Sequence, residues 1–256
     1  MSVEMFSGQV YSQITPQGLV AAMREIVGIL VAHTPASLCR VDQDDADGFN
    51  AVVFVGGDRY ARLSAVYNGS TTSIDLSAGY MDGDTYVPIS STSRTGNAIY
   101  NTVFANSVVT INGGDMWDLI YYCSGSPDTM RLRATKLISS LDGQTTWACA
   151  SYSQGAGSYR AFPDSSCDFV LIDGAGYGVT YPTSDFARYS VPSDKLLLFP
   201  SNLRVAANNT LGAPTIGGQR TYLMSGEETI PLPAYTEFRI NAWRYVSLGH
   251  VAIRST

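Results

Sequence analysis

Lysine is almost missing from this chain. Lys136 and Lys195 are its only two, against fourteen arginines. Charge of any kind is scarce: Asp, Glu, Lys and Arg make up 15% of the residues, where an average globular protein has roughly 25%. So little charge leaves few groups to solvate an entire surface, which fits a protein partly covered by partners. The net charge is −6, so the basic footprint of a nucleic-acid binder is missing. Long apolar runs are also missing. The longest, Ile26-Val27-Gly28-Ile29-Leu30-Val31-Ala32, is far short of the roughly 20 residues of a membrane-spanning helix, and no membrane insertion is expected. The first residues, Met1 to Phe6, carry no basic stretch ahead of an apolar core, so no signal peptide is expected.

Chemistry-bearing residues are equally sparse. The only histidines are His33 and His250, too few for a three-His zinc site. Cys39, Cys123, Cys149 and Cys167 are far apart and form no CxxC pair. Cysteines inside apolar stretches, as in Tyr121-Tyr122-Cys123 and Trp147-Ala148-Cys149, read as small buried hydrophobes; one disulfide stays open. The cluster Asp42, Asp44, Asp45, Asp47 ahead of Gly48 has the flavour of a calcium loop. Aligning Gly48 with the invariant glycine, however, puts Gln43 at the first ligand position and Phe54 where a bidentate Glu belongs. It reads as an acidic solvated loop. Gly174-Ala175-Gly176-Tyr177-Gly178 is followed by Val179 and so lacks the last glycine of a dinucleotide loop. Paired carboxylates for glycoside hydrolysis meet in space, and nothing singles out two of the 22 acids. No catalytic, cofactor-binding or metal-ligating residue is assigned, and no cofactor is expected.

What is plentiful is aromatic and arginine side chains: 16 Tyr, 9 Phe and 3 Trp beside the fourteen Arg. β-sheets favour aromatics, and interfaces favour Tyr, Trp and Arg over Lys. One helix is legible. Thr15 caps it, Pro16 opens it, and Leu19, Val20, Met23, Ile26, Val27 and Leu30 recur at three- and four-residue spacing until Thr34-Pro35 ends it. It packs on the main sheet or docks on a neighbouring subunit. Beyond Pro35 the period changes to two. In 59–67, Ala61, Leu63, Ala65 and Tyr67 alternate with Tyr60, Arg62, Ser64 and Val66; in 129–139, Met130, Leu132 and Ala134 alternate with Arg131, Arg133 and Thr135; in 237–243, Phe238, Ile240 and Ala242 alternate with Arg239 and Asn241. Each run predicts a strand with one face on a core. Arg131 and Arg133 are expected on an outward face, toward a partner.

Turn chemistry separates the runs: Gly56-Gly57-Asp58, Asn68-Gly69, Asp82-Gly83-Asp84, Asn112-Gly113-Gly114-Asp115, Asp142-Gly143, Asp173-Gly174, Gly217-Gly218 and Ser225-Gly226. The expected fold is mainly β, an antiparallel sandwich or barrel-like arrangement with one N-terminal helix. The expected division is 1–36 with the helix, 37–150 as a β-rich lobe, and 151–256 as a second lobe or a continuation. A stretch rich in Gly and Pro, 151–194, marks a long-loop region or that boundary.

The C-terminal part carries a resemblance. Leu198-Phe199 leads to Arg204-Val205 and a small-residue stretch to Gly212. Gly217-Gly218-Gln219-Arg220-Thr221-Tyr222-Leu223 then leads to Phe238-Arg239 and to His250-Val251-Ala252-Ile253-Arg254. This resembles the C-terminal end of virion structural proteins of tailed bacteriophages, with a Gly-rich turn, a "TYLV" strand, an "FR" step and a closing "AIR" strand. The apolar run and Asn usual before "FR" are replaced by Pro233-Ala234-Tyr235-Thr236-Glu237. The resemblance implies a non-enzymatic component of the virion, made in the host cytoplasm and placed in tail, baseplate or fibre. Its partners would be other virion proteins and copies of itself. A module binding carbohydrate or a host-surface glycan, a capsid- or neck-associated protein, and a glycosidase are the rival expectations.

Overall fold

The computed structural model describes residues 2–69, 71–96, 104–123, 129–138, 145–154, 169–171, 177–180, 198–200, 203–205, 210–212, 215–216, 219–224, 236–247 and 251–255. The chain divides into two compact units. The first is Ser2–Thr135 with Cys149–Gly157; the second is Lys136–Ala148 with Ser158–Thr256.

The first unit begins with β1 (Val3–Ser7), followed by α1 (Pro16–His33). The hydroxyl of Thr15 accepts from the Gly18 amide at 3.0 Å, and Pro16 opens the first turn. The expected stripe is buried, joined by Ala22. At about 1.5 to 3 kcal/mol for each large aliphatic side chain removed from water, this face holds the helix in place. Thr34 closes it: its hydroxyl donates to the Leu30 carbonyl at 2.5 Å. No helix among the described residues is long and apolar enough to cross a membrane.

The meander β2 (Cys39–Asp44), β3 (Gly48–Gly56), β4 (Arg59–Tyr67), β5 (Thr72–Asp82) and β6 (Thr85–Gly96) forms a five-stranded antiparallel sheet. A second sheet places β1 beside β7 (Phe104–Ile111), then β8 (Met116–Cys123), β9 (Thr129–Ile138) and β10 (Thr145–Gln154). Turn residues predicted from sequence sit where positive φ is needed: Gly57 at 62°, Gly69 at 85°, Gly83 at 58°, and Asn112 and Gly113 at 51° and 67°. At Gly79 the β5–β6 register shifts, and a Cβ there would overlap the Val87 carbonyl, so only glycine fits.

One face of β3, β4 and β5 is apolar: Phe49, Ala51, Val53, Ala61, Leu63, Ala65, Ile74 and Leu76 are all at most 3% exposed. The helix contacts β3, β4 and β7. Polar bonds pin it: the Asn106 amide donates to the Ala22 carbonyl at 3.2 Å, and the Tyr121 hydroxyl donates to the Met23 sulfur at 2.8 Å. The helix thus packs on the chain's own sheets.

In the second unit, β11 (Phe169–Leu171), β12 (Tyr177–Thr180), β14 (Leu203–Val205) and β15 (Thr210–Gly212) make a small antiparallel sheet. A further sheet runs β16 (Thr215–Ile216), β17 (Gln219–Met224), β20 (Val251–Ser255), β19 (Trp243–Ser247) and β18 (Glu237–Ile240). There β13 (Leu198–Pro200) pairs with β17, and the Leu137–Ile138 end of β9 pairs with β16. The expectation of a mainly β chain with antiparallel sheets and one N-terminal helix holds. The expected single strand across 237–243 does not. Ile240 pairs with Trp243, and Asn241-Ala242 is a two-residue turn with Asn241 at φ 55°. Asparagine tolerates the left-handed region, so the chain reverses although the alternation continues through the turn. The turn expectations at Asp142-Gly143, Asp173-Gly174, Gly217-Gly218 and Ser225-Gly226 lie outside the described residues, as do Cys167, His250, Gly174 and most of 151–194.

Candidate functional site

The outer face of the five-stranded sheet carries a groove at the end where β2 begins. Cross-strand partners share a face, and the register sets Arg40 opposite Val52 and Phe54 opposite Tyr60. With Leu38 and Met81 these residues line a cavity of about 360 Å³. The Phe54 and Tyr60 rings meet edge to face at 5.4 Å, a favourable arrangement of their quadrupoles. Leu38 is 67% exposed, although its carbonyl is held by the Phe54 amide at 2.8 Å. Arg40 is fixed by both carboxylate oxygens of Asp42, at 2.7 and 3.2 Å, and by the Asp84 carbonyl at 3.0 Å.

In an antiparallel meander the β3–β4 and β5–β6 turns leave the same end of the sheet. Those turns bear Asp58, Asp82 and Asp84, all exposed. The groove thus sets the apolar side chains of Leu38, Phe54, Tyr60 and Met81 beside the Arg40 guanidinium, with aspartates on the turns at its end, Asp58 among them paired with Arg59. Sequence reading placed Tyr60 on the outer face of β4 but did not find the groove. The signal available was Phe54 and Tyr60 flanking Gly56-Gly57-Asp58, a turn that sets two aromatics opposite one another across the ladder.

The arginines expected on an outward face are inside. Arg133 is 1% and Arg131 7% exposed, and both are ion-paired to Asp118, at 2.6 and 3.3 Å. Asp118 lies directly opposite Arg133 on β8 and is itself fully buried. The other face of β9, Met130, Leu132 and Ala134, is buried as expected. Alternation separates two faces of a strand but does not say that one is wet. A carboxylate in register lets guanidinium groups enter the interior. The signal in sequence was Asp118 itself, a lone acid within Met116-Trp117-Asp118-Leu119-Ile120-Tyr121.

The remaining candidates serve structure. Asp45 accepts from the amides of Asp47 at 2.9 Å and Gly48 at 2.8 Å, which closes the β2–β3 turn and holds its carboxyl below the ordinary value. Asp44 pairs with Arg24, whose Nε lies 2.8 Å away, and Asp42 with Arg40. Among the described residues no group of three or more His, Cys, Asp or Glu is arranged to hold a metal ion. Cys149 is a buried free thiol pushed up to about 12, mainly by burial; Cys39 is exposed and free. The side chain of Cys123 lies outside the described residues. His33 stacks on Phe6 with ring centres 3.7 Å apart.

The terminal hairpin β18–β19 gathers exposed cations. Arg239 and Arg244 are directly opposite one another, both exposed, and neither forms an ion pair among the described residues. Trp243 is 49% exposed, and the Arg254 guanidinium covers one face of its ring at 3.2 Å. Phe238 stacks on Tyr245 at 5.4 Å. Comparison with protein-family models, curated proteins and solved structures yields no match.

Proposed function

We propose that the chain is a non-enzymatic structural component of a tailed-phage virion, acting through protein–protein interfaces in the tail or baseplate. The observation that carries this reading is where the family-like segments lie. Phe199, Tyr222 and Leu223, Phe238-Arg239, and Ala252-Ile253-Arg254 belong to β13, β17, β18 and β20, strands of one sheet in the second unit. Motifs far apart in sequence thus contribute to one structural element. Exposed apolar residues on edge strands add support. Met5 on β1 is 60% exposed and Val41 on β2 is 50% exposed, and edge strands offer unpaired backbone groups to a neighbour.

The test is mass spectrometry of purified phage particles followed by location of the chain in their density. Absence from particles would overturn the proposal. The groove with Phe54 and Tyr60 favours a second reading, a module binding a host-surface glycan, because aromatic rings beside polar groups can stack on sugars. Binding on a glycan array that is lost in Tyr60→Ala would favour it.

A further inference from the structure

β18 is the last strand of the terminal sheet. β19 pairs with one of its sides, and among the described residues no strand pairs with the other. Such an edge offers backbone donors and acceptors to a neighbour, and natural edges are often blunted by a bulge or a proline. The β2 edge is blunted in this way, by the irregularity between Val41 and Gln43. β18, Glu237-Phe238-Arg239-Ile240, has neither a proline nor a register shift against β19. Its hairpin fixes which backbone groups face outward. A two-residue turn closes with a bond between the residues that flank it, here Ile240 and Trp243. Pairs along an antiparallel ladder then alternate between bonded and non-bonded. Ile240 and Phe238 thus direct their backbone groups at β19, while Glu237 and Arg239 direct theirs away from it. The side chains of Glu237 and Arg239 share one face and are exposed. Neither forms an ion pair among the described residues, and Arg239 has the like charge of Arg244 opposite it.

We infer that β18 of one copy pairs antiparallel with β18 of a second copy, about a two-fold axis at Phe238. Glu237 then lies across from Arg239 of the second copy, and Arg239 across from its Glu237. Both pairs join outward backbone groups, so each exchanges two backbone hydrogen bonds, and both oppose unlike charges. Registers centred on Glu237 or on Arg239 would set like charges opposite one another. On the other face the two Phe238 side chains meet in a non-bonded position, where opposed side chains come closest. Each Phe238 is already stacked on its own Tyr245 at 5.4 Å, so four aromatic rings form a row across the junction. The contact uses one patch twice. It is therefore isologous and closes as a dimer. The inference rests on the proposed role as an assembling subunit.

Sedimentation velocity of the full chain across a range of concentrations tests it. The wild type is expected to pass from monomer to dimer as concentration rises. Glu237→Arg and Arg239→Glu, both at exposed positions, each make both charge pairs repulsive and should weaken the dimer on the order of tenfold. Mixed in equal amounts, the two variants should pair with each other about as tightly as wild type, since each supplies the charges the other lacks. The double exchange Glu237→Arg with Arg239→Glu should restore the homodimer. Glu237→Pro removes an outward N–H at the first residue of the strand, where proline is tolerated; it should also weaken the dimer, and it keeps the test open should a charge variant fail to fold. Dimers unchanged in the single variants, or no recovery in the mixture, would overturn the strand-to-strand contact. A wild type that stays monomeric at every concentration would overturn it too. Finding the chain in purified particles would then leave the proposed role standing, whereas its absence from them would remove that role as well.

Discussion

Arg131 and Arg133 on β9, and Arg239 and Arg244 on β18 and β19, are the same side chain on the same kind of antiparallel strand, in opposite surroundings. The first pair is buried and shares the carboxylate of Asp118, which the β8–β9 register puts directly opposite Arg133. The second pair is exposed, and there the register puts arginine opposite arginine. The difference is the residue across the ladder. A carboxylate there compensates the loss of hydration and the strand can be covered; a second guanidinium there keeps the strand at the surface. In one unit arginine holds the interior together, and in the other it stays at the surface.

That contrast can be broken most directly at Asp118. Replacing it as Asp118→Asn removes the charge that both buried guanidinium groups touch, and stability should fall by about 3 to 5 kcal/mol. A denaturant midpoint within about 1 kcal/mol of wild type would show that the network is not held by charge. The complementary experiment replaces all three side chains. Asp118→Leu with Arg131→Met and Arg133→Met should recover most of that loss, because a buried ion network replaced by apolar side chains of similar volume is often neutral or stabilising. A triple variant as unstable as Asp118→Asn would mean that the two guanidinium groups do more than pair with Asp118.

Alkaline pH sharpens the comparison from the side of burial. Burial pushes the Cys149 thiol up to about 12 from an ordinary value of 9.0, and it raises the Tyr121 and Tyr86 hydroxyls as well. All three groups are in the first unit. A raised acid is held neutral by the fold, so its contribution is complete below its ordinary value. It is lost as the pH climbs from there toward the folded value. Cys149 alone should account for about 1 kcal/mol lost between pH 8 and pH 10, and Cys149→Ala should flatten that part of the stability–pH curve. An unchanged slope would refute the assignment.

The smallest effect is expected at the hairpin. Arg244→Thr removes the repulsion across β18–β19 and should raise stability slightly, by about 0.2 to 1 kcal/mol. A thermal melt showing clear destabilisation would mean that Arg244 has a partner within its own copy.

The helix was legible in full because every determinant is local. Thr15, Pro16, the three- and four-residue spacing and Thr34-Pro35 act within a few residues of one another. The β3–β4, β4–β5, β5–β6 and β7–β8 turns were legible for the same reason: Gly57, Gly69, Gly83 and Asn112-Gly113 supply positive φ there. The β18–β19 turn was missed because Asn241-Ala242 lacks the glycine that usually marks such a turn, and a short alternating run looks the same whether it continues or reverses. The arginines of β9 were assigned to the right face and the wrong surroundings.

By itself, then, the sequence determined where the chain is helical, where most described strands turn, and which side chains share a strand face. Those properties follow from backbone sterics and from a side-chain period of two or 3.6, which involve neighbours along the chain. Only the tertiary structure decided which faces are covered. It brought Asp118 to Arg131 and Arg133, closed Phe54 on Tyr60 above an open groove, and left Arg239 and Arg244 opposed at the surface. Register and layering are settled between strands, and burial of a charge turns on what stands across from it.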